Sequence, residues 1–128
     1  IVEAVGLGAA IDYLNHVGMD EIEAHERNLT AAACEGIRDL QGVRLLGSDS
    51  AQRSGILSFV VEGVNAHDIS TFMDLKGVAT RAGHHCAMPL HQKLGVPSSC
   101  RASFYLYNTQ EEVEIFLSAL RDVIAKLA

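Results

Sequence analysis

Val43-Arg-Leu-Leu46 and Ile56-Leu-Ser-Phe-Val-Val61 are two short β-like runs that follow a long opening stretch of helical pattern. Gly47–Ser50 and Ser54–Gly55 supply turn-forming residues between the two runs. Runs of this length, separated by such residues, predict a hairpin or an adjacent pair of strands. The first strand pairing of the chain is therefore expected here.

Helical spacing of apolar residues and capping residues define the elements on either side of this pair. The predicted helices are Ile1–Val17, Met19–Leu40, Ala66–Leu75 capped by Asn65, Pro89–Leu94, and a last helix that begins after Thr109. Further strands are predicted at Val78–Arg81 and Arg101–Tyr107. Strand and helix do not alternate regularly, which predicts an α+β fold with a small, largely antiparallel sheet covered by helices on one face.

The composition is that of an ordinary globular domain and argues against several classes of function. With 128 residues, the chain is expected to form a single domain. A formal net charge of −6 and the lack of a basic stripe argue against nucleic acid or an anionic membrane as a partner. The three cysteines have no C-x-x-C spacing, which fits neither a disulfide framework nor a structural zinc site. No apolar run is long enough to span a bilayer and no secretory signal is visible, so a cytoplasmic location is expected.

The segment Arg81-Ala-Gly-His-His-Cys-Ala-Met-Pro-Leu90 places a cysteine directly after two histidines in a glycine-containing turn. The thiolate is the nucleophilic form of cysteine, and imidazolium neighbours and backbone N–H groups favour it. Cys86 is therefore the candidate reactive residue. The alternative is a small buried apolar role, which is common for a cysteine outside a disulfide. Cys34, in an alanine-rich helix, and Cys100 are interpreted in that second way.

Arg81–Leu90 and Arg101–Thr109 together resemble the SUF-type (group II) cysteine desulfurases, pyridoxal-phosphate enzymes of the class V aminotransferase family. Ala10–Leu14 and Gly18–Glu26 extend the resemblance over essentially the whole chain. It implies that residues 1–128 form one C-terminal domain, the small domain of a fold-type I pyridoxal-phosphate enzyme. Residues 1–18 would then belong to the helix that connects to a large cofactor-binding domain. Because the chain begins with isoleucine rather than methionine, it is expected to be a fragment.

The resemblance implies pyridoxal phosphate in the full-length enzyme and no cofactor on this fragment. In the family, the lysine that holds the cofactor comes from the earlier, large domain. The lysines of this chain are Lys76, Lys93 and Lys126, and none of them matches that position. The sequence also contains no recognisable phosphate cup and no partner for the pyridine nitrogen.

The resemblance also assigns roles to a cysteine and two arginines. Cys86 would attack the sulfur of L-cysteine, form a persulfide and release alanine. Arg101 matches the arginine that grips the substrate carboxylate, which a guanidinium can do through two parallel hydrogen bonds. On spacing alone, an ion pair of Arg101 with a surface acid is an equally good interpretation. Arg81 matches a position where a cation could steer anionic groups or hold the loop.

Histidines surround the candidate cysteine in the sequence. His84 and His85 could tune the thiol or shuttle a proton, and one of them is expected to face the site because adjacent side chains cannot all point inward. A zinc site of His84, His85 and Cys86 is a competing idea, but consecutive ligands chelate a tetrahedral ion poorly, so no metal is expected. His67 matches a position that in some relatives meets a zinc-containing sulfur acceptor, and an exposed histidine at a helix start is the alternative. The remaining histidines form no visible constellation.

The function that the resemblance implies is sulfur mobilisation for iron–sulfur cluster assembly. Members of the family are homodimers that pass the persulfide to a sulfur-acceptor protein of the SUF system. A selenocysteine lyase or cysteine sulfinate desulfinase would share the same fold and cofactor. A non-catalytic domain that docks a partner is the alternative from a different class.

Overall fold

The computed structural model describes residues 1–47 and 53–127. The helices are α1 (Val2–Val17), α2 (Met19–Arg38), α3 (Ala66–Asp74), α4 (Met88–Leu94) and α5 (Gln110–Leu127), and the strands are β1 (Val43–Leu46), β2 (Ile56–Val61), β3 (Arg81–Gly83) and β4 (Ser99–Ser103). The four strands form one sheet in the order β1-β2-β4-β3, and every neighbouring pair is antiparallel. The predicted α+β fold with an antiparallel sheet is confirmed. The predicted turn at Gly47–Ser50 lies largely outside the described residues.

One face of the sheet carries the apolar core. The register aligns Phe59 of β2 with Cys100 of β4 and Ala82 of β3, and these three residues belong to the core or pack against it. Helices α2, α3 and α5 supply the opposing apolar residues, among them Ile37, Met73, Phe116 and Leu120. Because successive side chains of a strand alternate between faces, the residues next to these point to the other side of the sheet.

Two predicted helix starts have the expected hydrogen bonds. The Asn65 side chain accepts a hydrogen bond from the His67 backbone N–H at 2.8 Å, which caps α3. At α5 the Thr109 N–H donates to the Glu112 carboxylate at 2.9 Å, and the Glu112 N–H donates to the Thr109 hydroxyl at 3.3 Å. This reciprocal pair is a capping box, as the sequence predicted.

Three predicted elements have at least one boundary that is wrong by two or more residues. The second helix ends at Arg38 instead of Leu40. The third strand is Arg81–Gly83 instead of Val78–Arg81, because Val78 and Thr80 bond back to α3 and only the residues after them reach β4. The fourth strand is Ser99–Ser103 instead of Arg101–Tyr107. Its partner strand begins at Ile56, opposite Ser103, so the chain beyond has no strand to pair with and turns away.

Two helices lie apart from the main core. None of the residues of α1 is buried, and its exposed apolar side chains include Val5, Ile11 and Tyr13. Helix α4 lies against the sheet face opposite the core, where Leu90 and Leu94 line a pocket with β-strand residues. This placement differs from the prediction that helices cover one face alone. Among residues 1–47 and 53–127, no helix is both long enough and apolar enough to cross a membrane.

Gly55 lies just before β2, where its backbone comes close to the backbone of Phe104, just after β4. Its carbonyl accepts a hydrogen bond from the Phe104 N–H at 2.6 Å, and a Cβ at this position would collide with the Phe104 carbonyl oxygen.

Gly55→Ala should lower the free energy of unfolding by about 1–3 kcal/mol, since backbone must move to admit the methyl group. Urea denaturation measures the change. In the control Gly6→Ala, where open space surrounds the added Cβ, stability should stay unchanged or rise by up to about 1 kcal/mol.

Candidate active site

Cys86 lies on a tight turn between β3 and α4. The Ala87 N–H donates to the His84 carbonyl at 2.8 Å, which closes a four-residue turn. Its two central residues, His85 and Cys86, have positive φ angles of 52° and 59°. Residues other than glycine rarely adopt this conformation, and each costs about 1–2 kcal/mol relative to a right-handed backbone. The turn therefore stores strain at the position of the candidate nucleophile, a pattern that occurs at functional sites.

Exposure separates Cys86 from the two other cysteines. Cys86 is exposed, whereas Cys34 and Cys100 are buried in the core. Burial raises the pKa of the Cys100 thiol to about 12, which keeps it protonated. The interpretation of Cys86 as a small buried apolar residue is therefore wrong, while the same interpretation of the other two is consistent with their burial.

A buried histidine and a buried serine anchor the turn to the sheet. His91 on α4 is 5% exposed, and its Nδ1 and Nε2 lie 3.0 Å from the Ala87 carbonyl and 2.9 Å from the Ser99 hydroxyl. The Ser99 carbonyl in turn lies 3.1 Å from His85 Nε2. Residues at both ends of this network belong to the turn or adjoin it, so the network fixes the turn against the start of β4.

The two histidines before Cys86 are in different environments. His84 is exposed, whereas His85 is half-buried and bonded to Ser99. Burial lowers the pKa of His85 most, the hydrogen bond to the Ser99 carbonyl raises it by a smaller effect, and Arg101, His91 and Arg81 each lower it by less again. His85 Nδ1 is buried and has no hydrogen-bond partner among residues 1–47 and 53–127. Of the pair, His85 is therefore the more buried residue.

A row of polar side chains crosses the sheet face opposite the core. The register places Arg101 of β4 between Ser58 of β2 and Arg81 of β3. Within the described residues neither arginine forms an ion pair, and Arg101 Nε is buried without a hydrogen-bond partner. Like charges directly opposite one another destabilise a sheet unless an anion lies between them. This row is therefore suited to bind an anion, and the alternative of a surface ion pair for Arg101 has no support in the described contacts.

A pocket of about 360 Å³ joins the two parts of the site. Its walls are largely apolar and include Leu90 and Leu94 of α4, while Arg101 and His85 are among its polar lining residues. Ala87 also lines it, so the residues on both sides of Cys86 border the same space. An apolar pocket with a few convergent polar groups is the usual form of a small-molecule site.

The remaining predicted positions lie outside this cluster. His67 is exposed on the first turn of α3, and no described hydrogen bond or ring contact joins it to the Cys86 turn. Lys76 pairs with Asp122 at 2.6 Å, and Lys126 lies 4.5 Å from the Phe72 ring centroid. In the part of the chain that the structure describes, no group of three or more His, Cys, Asp or Glu side chains could hold a metal ion.

Sequence reasoning missed His91 and Ser99. His91 was grouped with histidines that form no constellation, yet its ring packs 5.5 Å from the His84 ring and 5.9 Å from the His85 ring, measured between centroids. One signal was available, because a residue four positions after Ala87 in a helix can bond back to the Ala87 carbonyl. Ser99 had no such signal, since strand pairing brings it to the histidines.

An exposed cysteine on a strained turn, flanked by histidines and set near an arginine row, defines a thiol site in a small α+β domain. A family model described as aminotransferase class-V matches residues 1–116. The chain belongs to this family.

Three proteins to which the chain is similar are described as cysteine desulfurases or probable cysteine desulfurases. Over 113 residues the chain is 51% identical to a probable cysteine desulfurase 2 of Mycobacterium leprae, covering 88% of this chain and 27% of that protein. The cysteine desulfurase of Thermococcus onnurineus has a TM-score of 0.93 at 38% identity, covering 97% of this chain and 31% of that structure. For the cysteine desulfurase CsdA (S-sulfonic acid) of Escherichia coli, the TM-score is 0.90 at 33% identity. The match covers 97% of this chain and 30% of that structure. The chain spans less than a third of the length of these relatives.

The lowered pKa of His85 predicts a pH dependence of stability. Since the folded state holds this proton less tightly than the unfolded state, whose imidazole pKa is about 6.5, stability is highest above that value. It should fall as the pH drops below it. Urea denaturation at several pH values measures the slope, which His85→Gln should flatten. His16→Gln, at an exposed position of α1, is the control and should leave the slope unchanged. An equal slope in the His85 variant would contradict the assignment.

Proposed function

We propose that this chain is the C-terminal domain of a SUF-type cysteine desulfurase, in which Cys86 takes sulfur from L-cysteine as a persulfide. The observation that carries the proposal is the exposed Cys86 on a positive-φ turn, whose neighbours His85 and Ala87 line the same pocket as Arg101. Identity of 51% to a probable cysteine desulfurase and TM-scores of 0.90 and above to two cysteine desulfurases support it.

The sulfur transfer requires a nucleophile that a substrate can reach. The Cys86 thiolate attacks the sulfur of L-cysteine, so that an S–S bond forms and the C–S bond breaks. The electron pair of the broken bond stays on the carbon, which takes up a proton, and alanine is released. Cys86 satisfies the requirement of access because it is the exposed cysteine, while the thiol of Cys100 is buried and protonated.

The residues of this chain do not by themselves fit pyridoxal phosphate. A lysine that holds the cofactor covalently would have to reach the pocket, but Lys76 and Lys126 interact elsewhere, and no lysine lines the pocket beside Cys86. We therefore assign the cofactor, an electron sink for carbanion chemistry, to a large domain outside this chain. Residues 1–18 belong to the helix leading to that domain, which is consistent with the uncovered apolar side chains of α1.

Arg101 is the carboxylate clamp in this proposal. Its side chain is partly buried, its Nε lacks a partner in the part of the chain that the structure describes, and Arg81 opposite adds a second positive charge. A partly buried guanidinium without an acidic partner favours a carboxylate that arrives with the substrate. Arg81 then steers the anion, and His84 and His85 support the thiol.

The proposed location, oligomeric state and sulfur acceptor are those of the family that the chain resembles. The protein acts in the cytoplasm as a homodimer and passes its sulfur to an acceptor protein of the SUF system for iron–sulfur cluster assembly. His67 is assigned to the contact with that acceptor, which its exposed position on α3 permits.

Cys86→Ala in the full-length protein that contains this chain should abolish persulfide formation and alanine release from cysteine. The cofactor absorbance should persist, because Cys86 acts on the substrate sulfur and does not hold the cofactor. Mass spectrometry detects the added sulfur atom, and alanine is measured by chromatography. Cys34→Ala is the control, expected to retain both products. Full activity of the Cys86 variant would refute the assignment, and surviving selenocysteine turnover would point to the lyase relatives.

Arg101→Lys should raise the KM for cysteine at least about tenfold and Arg101→Ala further, since truncating one side of a desolvated charge pair costs about 2–5 kcal/mol. Lysine keeps the charge and loses the two parallel hydrogen bonds. Steady-state kinetics measure the effect. Arg121→Lys, at an exposed position on α5, should leave KM unchanged. If the KM of Arg101→Lys matched that of the control, the clamp assignment would fail.

A further inference from the structure

His91 and Ser99 are nearly inaccessible, yet nothing in the sulfur-transfer chemistry above uses them. Their exposed fractions are 5% and 1%. Buried polar groups are costly unless every hydrogen bond is made, so a buried His–Ser pair beside a reactive turn needs a physical reason. The atoms that the pair contacts supply one.

The hydrogen-bond partners decide where the protons of both imidazoles lie. The Ala87 carbonyl can only accept, so His91 Nδ1 carries a hydrogen and Nε2 of the neutral ring accepts from the Ser99 hydroxyl. The Ser99 carbonyl also can only accept, so His85 Nε2 carries a hydrogen. Nδ1 of neutral His85 is then a bare acceptor, and this buried atom has no hydrogen-bond partner among the described residues.

His91 touches the Cys86 turn at several points at once. It bonds to Ala87 at the end of the turn, and its ring packs against the rings of His84 and His85. It also bonds to Ser99 on the sheet. The turn backbone is strained at His85 and at Cys86, and a strained turn persists only where its surroundings over-determine it.

We propose that His91 is a positioning residue, which clamps the Cys86 turn to Ser99 and, by fixing Ser99 relative to the turn, keeps the Ser99 carbonyl on the Nε2–H of His85. Nδ1 of His85 then stays available to a polar hydrogen of a ligand in the pocket. The clamp is a property of this chain, while the identity of the ligand as a cysteine substrate rests on the proposed function.

Several charged or titratable groups face His85 from the packed elements. They are Arg101 on β4 and Arg81 on β3, whose charges oppose a positive charge on His85, and His91 on α4, which opposes it only when its own ring is charged. His84 and Cys86 adjoin it within the turn. These groups favour the neutral ring, in which a bare Nδ1 exists, so the clamp and the surrounding charges act in the same direction.

The test uses the 128-residue chain with ¹⁵N-labelled histidine. Long-range ¹H–¹⁵N spectra at about pH 7.5, above the ordinary imidazole pKa of about 6.5, identify the protonated ring nitrogen of His85. Alkylation of Cys86 by iodoacetamide, mapped by peptide mass, reports the turn, with buried Cys34 and Cys100 as internal references. The variants are His91→Phe, which keeps ring volume, His91→Gln, which keeps an amide near Ser99, and Ser99→Ala, which removes only the hydroxyl.

The expected result is a loss of the single tautomer in His91→Phe. His85 should show a mixture of ring forms, and Cys86 alkylation at neutral pH should slow about two- to tenfold, the range set by one net hydrogen bond. His91→Gln should recover most of both signals. Ser99→Ala should show the same effects in smaller measure, and it provides the measurement if His91→Phe does not fold.

Two outcomes separate the clamp from its alternatives. If folded His91→Phe or Ser99→Ala loses thermal stability but keeps the His85 spectrum and the Cys86 alkylation rate of the unmodified chain, His91 is a packing residue and the proposal is overturned. Neither readout needs turnover. Failure of the full-length protein to release alanine from cysteine would therefore refute the proposed function without contradicting the positioning role of His91.

Discussion

The pairing of β4 with both β2 and β3 is the constraint on which the rest of the site depends. This central strand sends Cys100 into the helical core and Arg101 to the opposite face, one residue apart. Because the alternation of a strand has a period of two, a shift of one residue would bury the arginine and expose the core. The buried apolar partners of Cys100 therefore also hold Arg101 in place beside the pocket.

Ser99 extends the same strand to the reactive turn. Its backbone carbonyl and its hydroxyl bond to two different histidines, so one residue at the start of β4 connects the arginine row with the residues around Cys86. The strain of two successive positive-φ residues can be maintained because the turn is attached on both sides, to β3 before it and to α4 after it. Regular elements on both sides of the turn thus hold the exposed thiol of Cys86 in a fixed position relative to its neighbours.

The elements of the chain differ in how much of their apolar surface is buried. Helices α2, α3 and α5 cover one sheet face, while α1 has no buried residue. The apolar pocket under α4 is likewise open at one side of the sheet. These two surfaces are where a domain outside this chain would make its contacts in the proposed enzyme.

Local signals in the sequence determined the element types, the caps at Asn65 and Thr109, and Cys86 as the candidate nucleophile, because spacing and capping are properties of neighbouring residues. The ends of β3 and β4 were misplaced, since a strand ends where its partner ends. The register that aligns Arg81 with Arg101, and the meeting of His91 with Ser99, joined residues that no local pattern connects. Tertiary structure decided these, because strand pairing and helix placement bring distant segments together at the energetic cost of closing the loops between them.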